Sequence, residues 1–248
     1  MTKNQMNRYL IFSTQRSGTH YLASLLQSSR AILCLGEVFH QRNSKNNFFS
    51  YLKAQPSVAS PDLDEVRFSE YLEFEGAVRD RTRLAASHVG PILMYNQFDR
   101  LPERFRSGLL ESRRIIHLYR SNFLRTHISN LINNLPGASS HGRIPQKKTT
   151  ISVPPEDILQ LLLKRRQIFE ERRKMLSNVD HLELRYEELS DNPVHMAQGI
   201  SEFLGVHEFR PSTTLVRSNP HPIKEIVENF SELEVALKGS DFEQLLNS

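Results

Sequence analysis

The chain has 248 residues, 38% of them hydrophobic and 24% charged, which is long enough for a large core and too apolar for a disordered tail. Its single cysteine, Cys34, excludes an intramolecular disulfide framework and a CxxC metal site, and a net charge of +4 suits an anionic ligand but not a nucleic acid. No apolar run approaches the roughly 18 residues of a membrane span, and the first residues lack a secretory apolar region, so a cytoplasmic protein is expected.

In chain order, Arg8–Ser13 (RYLIFS) predicts a buried strand, and Thr19–Gln27 a helix with Tyr21, Leu22, Leu25 and Leu26 on one face. Ala31–Leu35 predicts a second strand. Asn43–Pro61 reads as polar and irregular, and a helix is expected within Asp62–Arg79. Leu84–Val89 predicts a short strand, followed by a helix near Leu93–Phe98. Arg114–Tyr119 (RIIHLY) is the clearest inner strand, and Asn122–Asn133 forms a helix carrying Leu124, Ile128 and Leu131 on one face. Pro136–Pro155 has no periodicity and holds four prolines, two glycines and four basic residues counting His141, which reads as a lid, a binding loop or disorder.

A long helix striped by Leu161, Ile168 and Met175 starts after Pro155. Its basic segment, Lys164–Lys174, interleaves Glu170 and Glu171 as a solvated face would, with Glu170 spaced to pair with Lys174. His181–Arg185 predicts a strand, Val194–Leu204 a helix closed by Gly205, and Ile223–Leu237 a last helix. Strands alternating with helices imply βαβ units. The expectation is an α/β fold, a P-loop-like parallel sheet flanked by helices on both faces, in one domain over 1–248 with flexible loops at 43–61 and 136–155.

The segment Ser13-Thr14-Gln15-Arg16-Ser17-Gly18-Thr19-His20 joins the first strand to the first helix. Small residues there let backbone N–H groups turn toward an anion at the positive end of the helix dipole. Arg16 offers a fork of donors for phosphate or sulfate oxygens, and Ser17 and Thr19 add hydroxyls. It is not a Walker A loop, because it has one glycine and no lysine. The plainer alternative is a tight turn with an N-cap. Arg120 ends the strand IIHLYR at the carboxyl edge of the sheet, where open α/β folds bind ligands. Ser129 lies nine residues on, about two and a half turns into the next helix; the alternative is a surface arginine and a helix serine.

Glu37 falls just past the second strand, at the same edge as Arg16, and is the candidate general base for an alcohol. Pairing with Arg42 or orienting Arg16 are its alternatives. His20 is the second candidate base. His40 and His88 have nothing to set them apart from packed histidines. The ten histidines make no HExxH array, so no metal is expected.

STQRSGTHYL, HLYRSNFLRTHIS and LRYEELSDNPVHMAQGISEFLGV together resemble the sulfotransferases that use 3′-phosphoadenosine 5′-phosphosulfate (PAPS) and release PAP. GEVFH after the second strand is similar to the bacterial carbohydrate branch, which includes Nod-factor and trehalose 2-sulfotransferases. The resemblance implies that Arg16, Ser17, Gly18 and Thr19, with His20, hold the 5′-phosphosulfate. It implies that Arg120 and Ser129 hold the 3′-phosphate and that Tyr186 lies near the adenine. It also implies Glu37 as base, Arg16 in a catalytic role, and Arg217 or Lys224 near a loop over the nucleotide. The cytosolic enzymes carry lysine where this chain has Arg16, and their Arg-to-Ser interval is eight rather than nine. The implied function is metal-free transfer of the sulfuryl group from PAPS to a hydroxyl of a carbohydrate or glycolipid, by a chain that, like its relatives, forms a homodimer. The alternatives are an ATP-using P-loop kinase and a nucleotide-binding module without catalysis. The sequence encodes no readable acceptor preference.

Overall fold

The computed structural model describes residues 6–40, 47–54, 63–80, 86–136, 148–207, 209–215 and 220–247. These form two compact units. The first comprises the residues up to Tyr119 together with Asn178–Thr213; the second comprises Arg120–Ser177 together with the residues from Thr214.

The first unit is built on five strands: β1 (Asn7–Ser13), β2 (Ile32–Glu37), β3 (His88–Met94), β4 (Arg114–Tyr119) and β5 (His181–Arg185). They lie in the order β2-β3-β1-β4-β5 and every pairing is parallel, so the expected α/β parallel sheet is what the chain forms. The adjacent strands β1 and β4 send their connections in opposite directions, which makes the end of β1 a topological switch point.

Strand alternation divides the core. Tyr9, Ile11, Cys34, Ile92 and Ile116 pack with Leu22, Leu25 and Leu26 of α1 (Thr19–Leu26) and with Ile200 and Leu204 of a later helix. From the other face, Phe12 meets Tyr95, Phe98 and His117 at ring-centroid distances of 4.8, 5.2 and 6.1 Å. Helices therefore cover both faces, as the buried strands require.

Several elements differ from the sequence expectation. The stretch read as irregular contains α2 (Phe48–Lys53), because the Asn47 side chain caps it and Phe48 and Leu52 are buried. α3 (Glu65–Asp80) lies where a helix was expected. β3 runs on through Met94, past the expected end at Val89, and leaves α4 only Tyr95–Phe98. α5 (Glu103–Glu111) was not anticipated.

The second unit has α6 (Phe123–Asn133) and α7 (Ile158–Leu176), joined through Phe123 and Phe169 at 6.0 Å. The first unit then resumes with α8 (Tyr186–Asp191) and α9 (Pro193–Leu204), the latter closed by Gly205 in the left-handed region as expected. The expected last helix of the chain is two helices, α10 (Ile223–Ile226) and α11 (Phe230–Leu237), both in the second unit. Val227 leaves the helical path because the chain there pairs with Ile151: Ile151 N donates to Ile226 O and Glu228 N to Ile151 O, each at 2.9 Å. Asn229 holds the same segment, accepting from Val153 N at 2.9 Å and donating to Val153 O at 2.8 Å. Residues 137–147, and thus most of the expected 136–155 loop, lie outside the described residues.

Candidate active site

The loop after β1 bends through two left-handed residues, Arg16 at φ 65° and Gly18 at φ 88°. Gly18 is the N-cap of α1 and offers no side chain to its amides. The Ser17 hydroxyl is fully buried and has no hydrogen-bond partner among the described residues. A buried hydroxyl without a partner costs stability unless something else satisfies it, and an oxyanion is a ligand able to do so at a helix start. Thr19 is buried beside it. Burial draws the Arg16 guanidinium down from its ordinary value, which the nearby Tyr186 phenol opposes; it stays cationic at neutral pH. Tyr186 opens α8 directly after β5, and its ring lies against Gly18 and edge-on to Tyr21.

Glu37 reaches this edge of the sheet through a bulge. Between Cys34 and Glu37 β2 takes three steps while β3 takes two, from Gly90 to Ile92. Gly36 adopts φ 75° at the bulge, a left-handed conformation that glycine adopts without strain. Pro91, at the same point of β3, has no N–H for the ladder. The extra residue places Glu37 opposite Ile92, on the face that carries α1. There one carboxylate oxygen, Oε1, lies 3.6 Å from His20 Nε2, and the other, Oε2, accepts from Gln97 Nε2 at 3.4 Å.

Burial pushes the Glu37 carboxyl up, but hydrogen bonding and charge from His20, charge from His40 and the Gln97 amide together outweigh it. The net direction is below the ordinary carboxylate value, so Glu37 is ionised at neutral pH and can accept a proton. The two candidate bases thus face each other across 3.6 Å.

Arg16, Ser17, Gly18, Thr19, His20, Glu37 and Tyr186 all belong to the first unit and stand at the carboxyl ends of its strands. Arg120 and Ser129 belong to the second unit. Ser129 is half-buried in α6, which starts at Phe123 because Asn122 accepts from Arg125 N. Counted from that start, Ser129 is about 1.7 turns in rather than two and a half. Lys224 is in α10, exposed. Arg42 and Arg217 lie outside the described residues.

His88 is not near the site. It begins β3, at the amino edge of the sheet, with Nε2 2.9 Å from Leu204 O and Nδ1 2.9 Å from the Ser87 hydroxyl. Gln97 was missed because its strand was expected to end before Gly90; a glutamine three residues after a strand end carries no signal of its own. No group of three or more His, Cys, Asp or Glu able to hold a metal occurs among the described residues, and no helix there is long and apolar enough to cross a membrane.

Comparison with curated protein sequences finds no match to the chain. Among solved structures, it is similar to mouse sulfotransferase SULT7A1 complexed with PAP, at 16% identity over 99% of this chain and 75% of that one, with a TM-score of 0.43. It is likewise similar to the sulfotransferase domain from the curacin biosynthetic pathway, at 16% identity over 93% and 90% of the two chains, TM-score 0.44. A sulfotransferase from Alicyclobacillus acidocaldarius aligns at 15% identity over 96% and 98%, TM-score 0.41. The sequence pattern of the sulfotransferase family fits residues 9–211, from β1 and the loop after it to beyond α9, and by that match the chain belongs to the sulfotransferase family.

Proposed function

We propose that this sulfotransferase takes PAPS as donor and sulfates a hydroxyl of a carbohydrate or glycolipid. PAPS supplies an activated sulfuryl group whose leaving group is PAP. Arg16, the buried Ser17 hydroxyl, Thr19 and the N–H groups at the start of α1 hold its 5′-phosphosulfate end. Arg120 and Ser129 take the 3′-phosphate, and Tyr186 borders the nucleotide. Glu37 takes the proton of the acceptor hydroxyl as that oxygen bonds to sulfur, and His20 stabilises the carboxylate until it does. Fixed N–H and guanidinium donors are matched to the charge that develops on the leaving oxygen. The whole chain acts as one sulfotransferase domain.

The observation that carries this reading is the pairing of two features at one sheet edge: a buried Ser17 hydroxyl with no partner among the described residues, in an arginine-bearing loop, and a Glu37 carboxylate 3.6 Å from His20 in the helix that follows that loop. The carbohydrate acceptor rests on the GEVFH segment that contains Glu37. The test is transfer of labelled sulfuryl from PAPS to a panel of methyl glycosides, disaccharides and glycolipids, beside simple phenols. Sulfation of sugars with release of PAP supports the reading. Sulfation of phenols alone contradicts the acceptor class.

A further inference from the structure

Gln97 stands in the first turn after β3, half-buried, with both ends of its amide in use. Its Oε1 accepts from Met94 N at 3.1 Å, the backbone half of a capping box at the start of α4. An amide whose oxygen is committed to a backbone N–H can turn only its NH₂ toward anything else. That NH₂ meets Glu37 Oε2 at 3.4 Å. The other carboxylate oxygen faces His20 across 3.6 Å, and His40 adds charge from the turn after β2. Gln97 is therefore the one of these three side chains that cannot take up a proton of its own near neutral pH. It holds one oxygen in a fixed direction and brings no formal charge of its own to the carboxylate.

We infer that Gln97 is the positioning residue of the catalytic base: clamped by the cap of α4, it fixes the rotamer of Glu37 and leaves Oε1 as the oxygen that takes the acceptor's proton. This rests on the reading of Glu37 as base. The chemistry is a proton transfer only, from the acceptor hydroxyl to Oε1, with no bond made or broken at Gln97.

The architecture supplies a clean variant. In Gln97→Glu the new carboxylate still accepts from Met94 N, and glutamate is a favoured residue at this position of a capping box. Toward Glu37, however, the change replaces a donor by a like charge. The experiment is a carbon-13 titration of the full chain labelled at the glutamate carboxyl carbon, with the Glu37 signal identified by its loss in Glu37→Gln. It needs neither donor nor acceptor. In Gln97→Glu the upper midpoint of the two-carboxylate pair is expected to lie about one unit or more above that of Glu37 in the wild type, with a melting temperature lowered at about pH 8 and recovering as the pH falls through that midpoint. Gln97→Met should raise Glu37 by less and lower the melting temperature, since it also abandons Met94 N. PAP release from PAPS, with the best sugar of the panel, should then show its acid limb moved upward in Gln97→Glu.

A Glu37 midpoint that ignores Gln97→Glu overturns the assignment, and if Glu37→Gln still abolishes PAP release the base reading survives without it. A midpoint that moves while Glu37→Gln releases PAP at the wild-type rate instead sinks the base reading, and Gln97's part in the reaction falls with it.

Discussion

The ring of Tyr186 occupies the space that a side chain at position 18 would need: a Cβ built on Gly18 would stand 2.2 Å from Cδ2 and 2.4 Å from Cε2 of that ring. One side of the loop after β1 is thereby set by the residue that follows β5, although 168 positions separate them in sequence. Gly18→Ala should cost about 1–3 kcal/mol through overpacking and a further 1–2 kcal/mol or so through its φ of 88°. Tyr186→Ala in the same chain should restore the first part and leave the second. Urea unfolding of the single and double variants separates them; additive losses would show that the ring does not press on the loop.

Ser17→Ala should separate stability from binding. The Ser17 hydroxyl has no partner among the described residues, so its removal should leave the unfolding free energy near wild type or slightly raised. If the hydroxyl serves an anion, the same change should weaken PAP by about 1.5–3 kcal/mol, or roughly 10- to 150-fold in Kd. Calorimetric titration with PAP reads this directly. An unaltered Kd would remove Ser17 from the site.

His20 and Glu37 make a pH prediction with a definite sign. The folded-state carboxyl of Glu37 lies below its ordinary value, so its contribution to stability is present above that value and lost as pH falls through the folded one. Turnover should follow the same carboxylate, with the acid limb below the ordinary carboxylate range. His20→Ala removes a hydrogen bond and a charge that lower Glu37, so the limb should move toward higher pH while the rate at pH 8 stays within a few-fold. Loss of turnover at every pH would make His20 the base instead.

Arg113 gives a control remote from the chemistry. Its side chain is fully buried, forked onto Glu65 at 2.5 and 2.9 Å, with the guanidinium 5.0 Å from the Phe68 ring centre. Glu65→Gln leaves that cation without its counter-charge and should destabilise the first unit by about 3 kcal/mol. PAP affinity should not change at temperatures well below the melt. A parallel loss of both would mean that the sheet edge and this ion pair are coupled.

The frame of the first unit was legible because its strands are short apolar or alternating runs and the loop of small residues and Arg16 follows the first of them without interruption. β3 was less so. Gly90 and Pro91 read locally as a strand end, yet partners on both sides, β1 and β2, carry the strand through Met94. The misplaced end hid Gln97, whose role depends on where the strand stops. The helix expected over 223–237 failed for a similar reason: a pairing of Val227 with Ile151, 76 residues away, overrides a continuous helical pattern. Glu37 was found from its place after a strand, whereas the bulge that aims it is a matter of register against the neighbouring strand, where Pro91 stands. Local pattern reports periodicity; it does not report what a partner strand lacks.

The most direct measurement of the central claim is the thermal melt of the chain with PAP, beside AMP, ADP, and ATP with Mg²⁺. A ligand confined to the native state at 100 times its Kd adds about 2.7 kcal/mol, a shift that a melting curve resolves. PAP should raise the melting temperature of the wild type, and Arg16→Ala and Arg120→Ala should each lose most of that rise. A melt raised by ATP with Mg²⁺ and indifferent to PAP would contradict the account and turn the loop after β1 over to phosphoryl transfer.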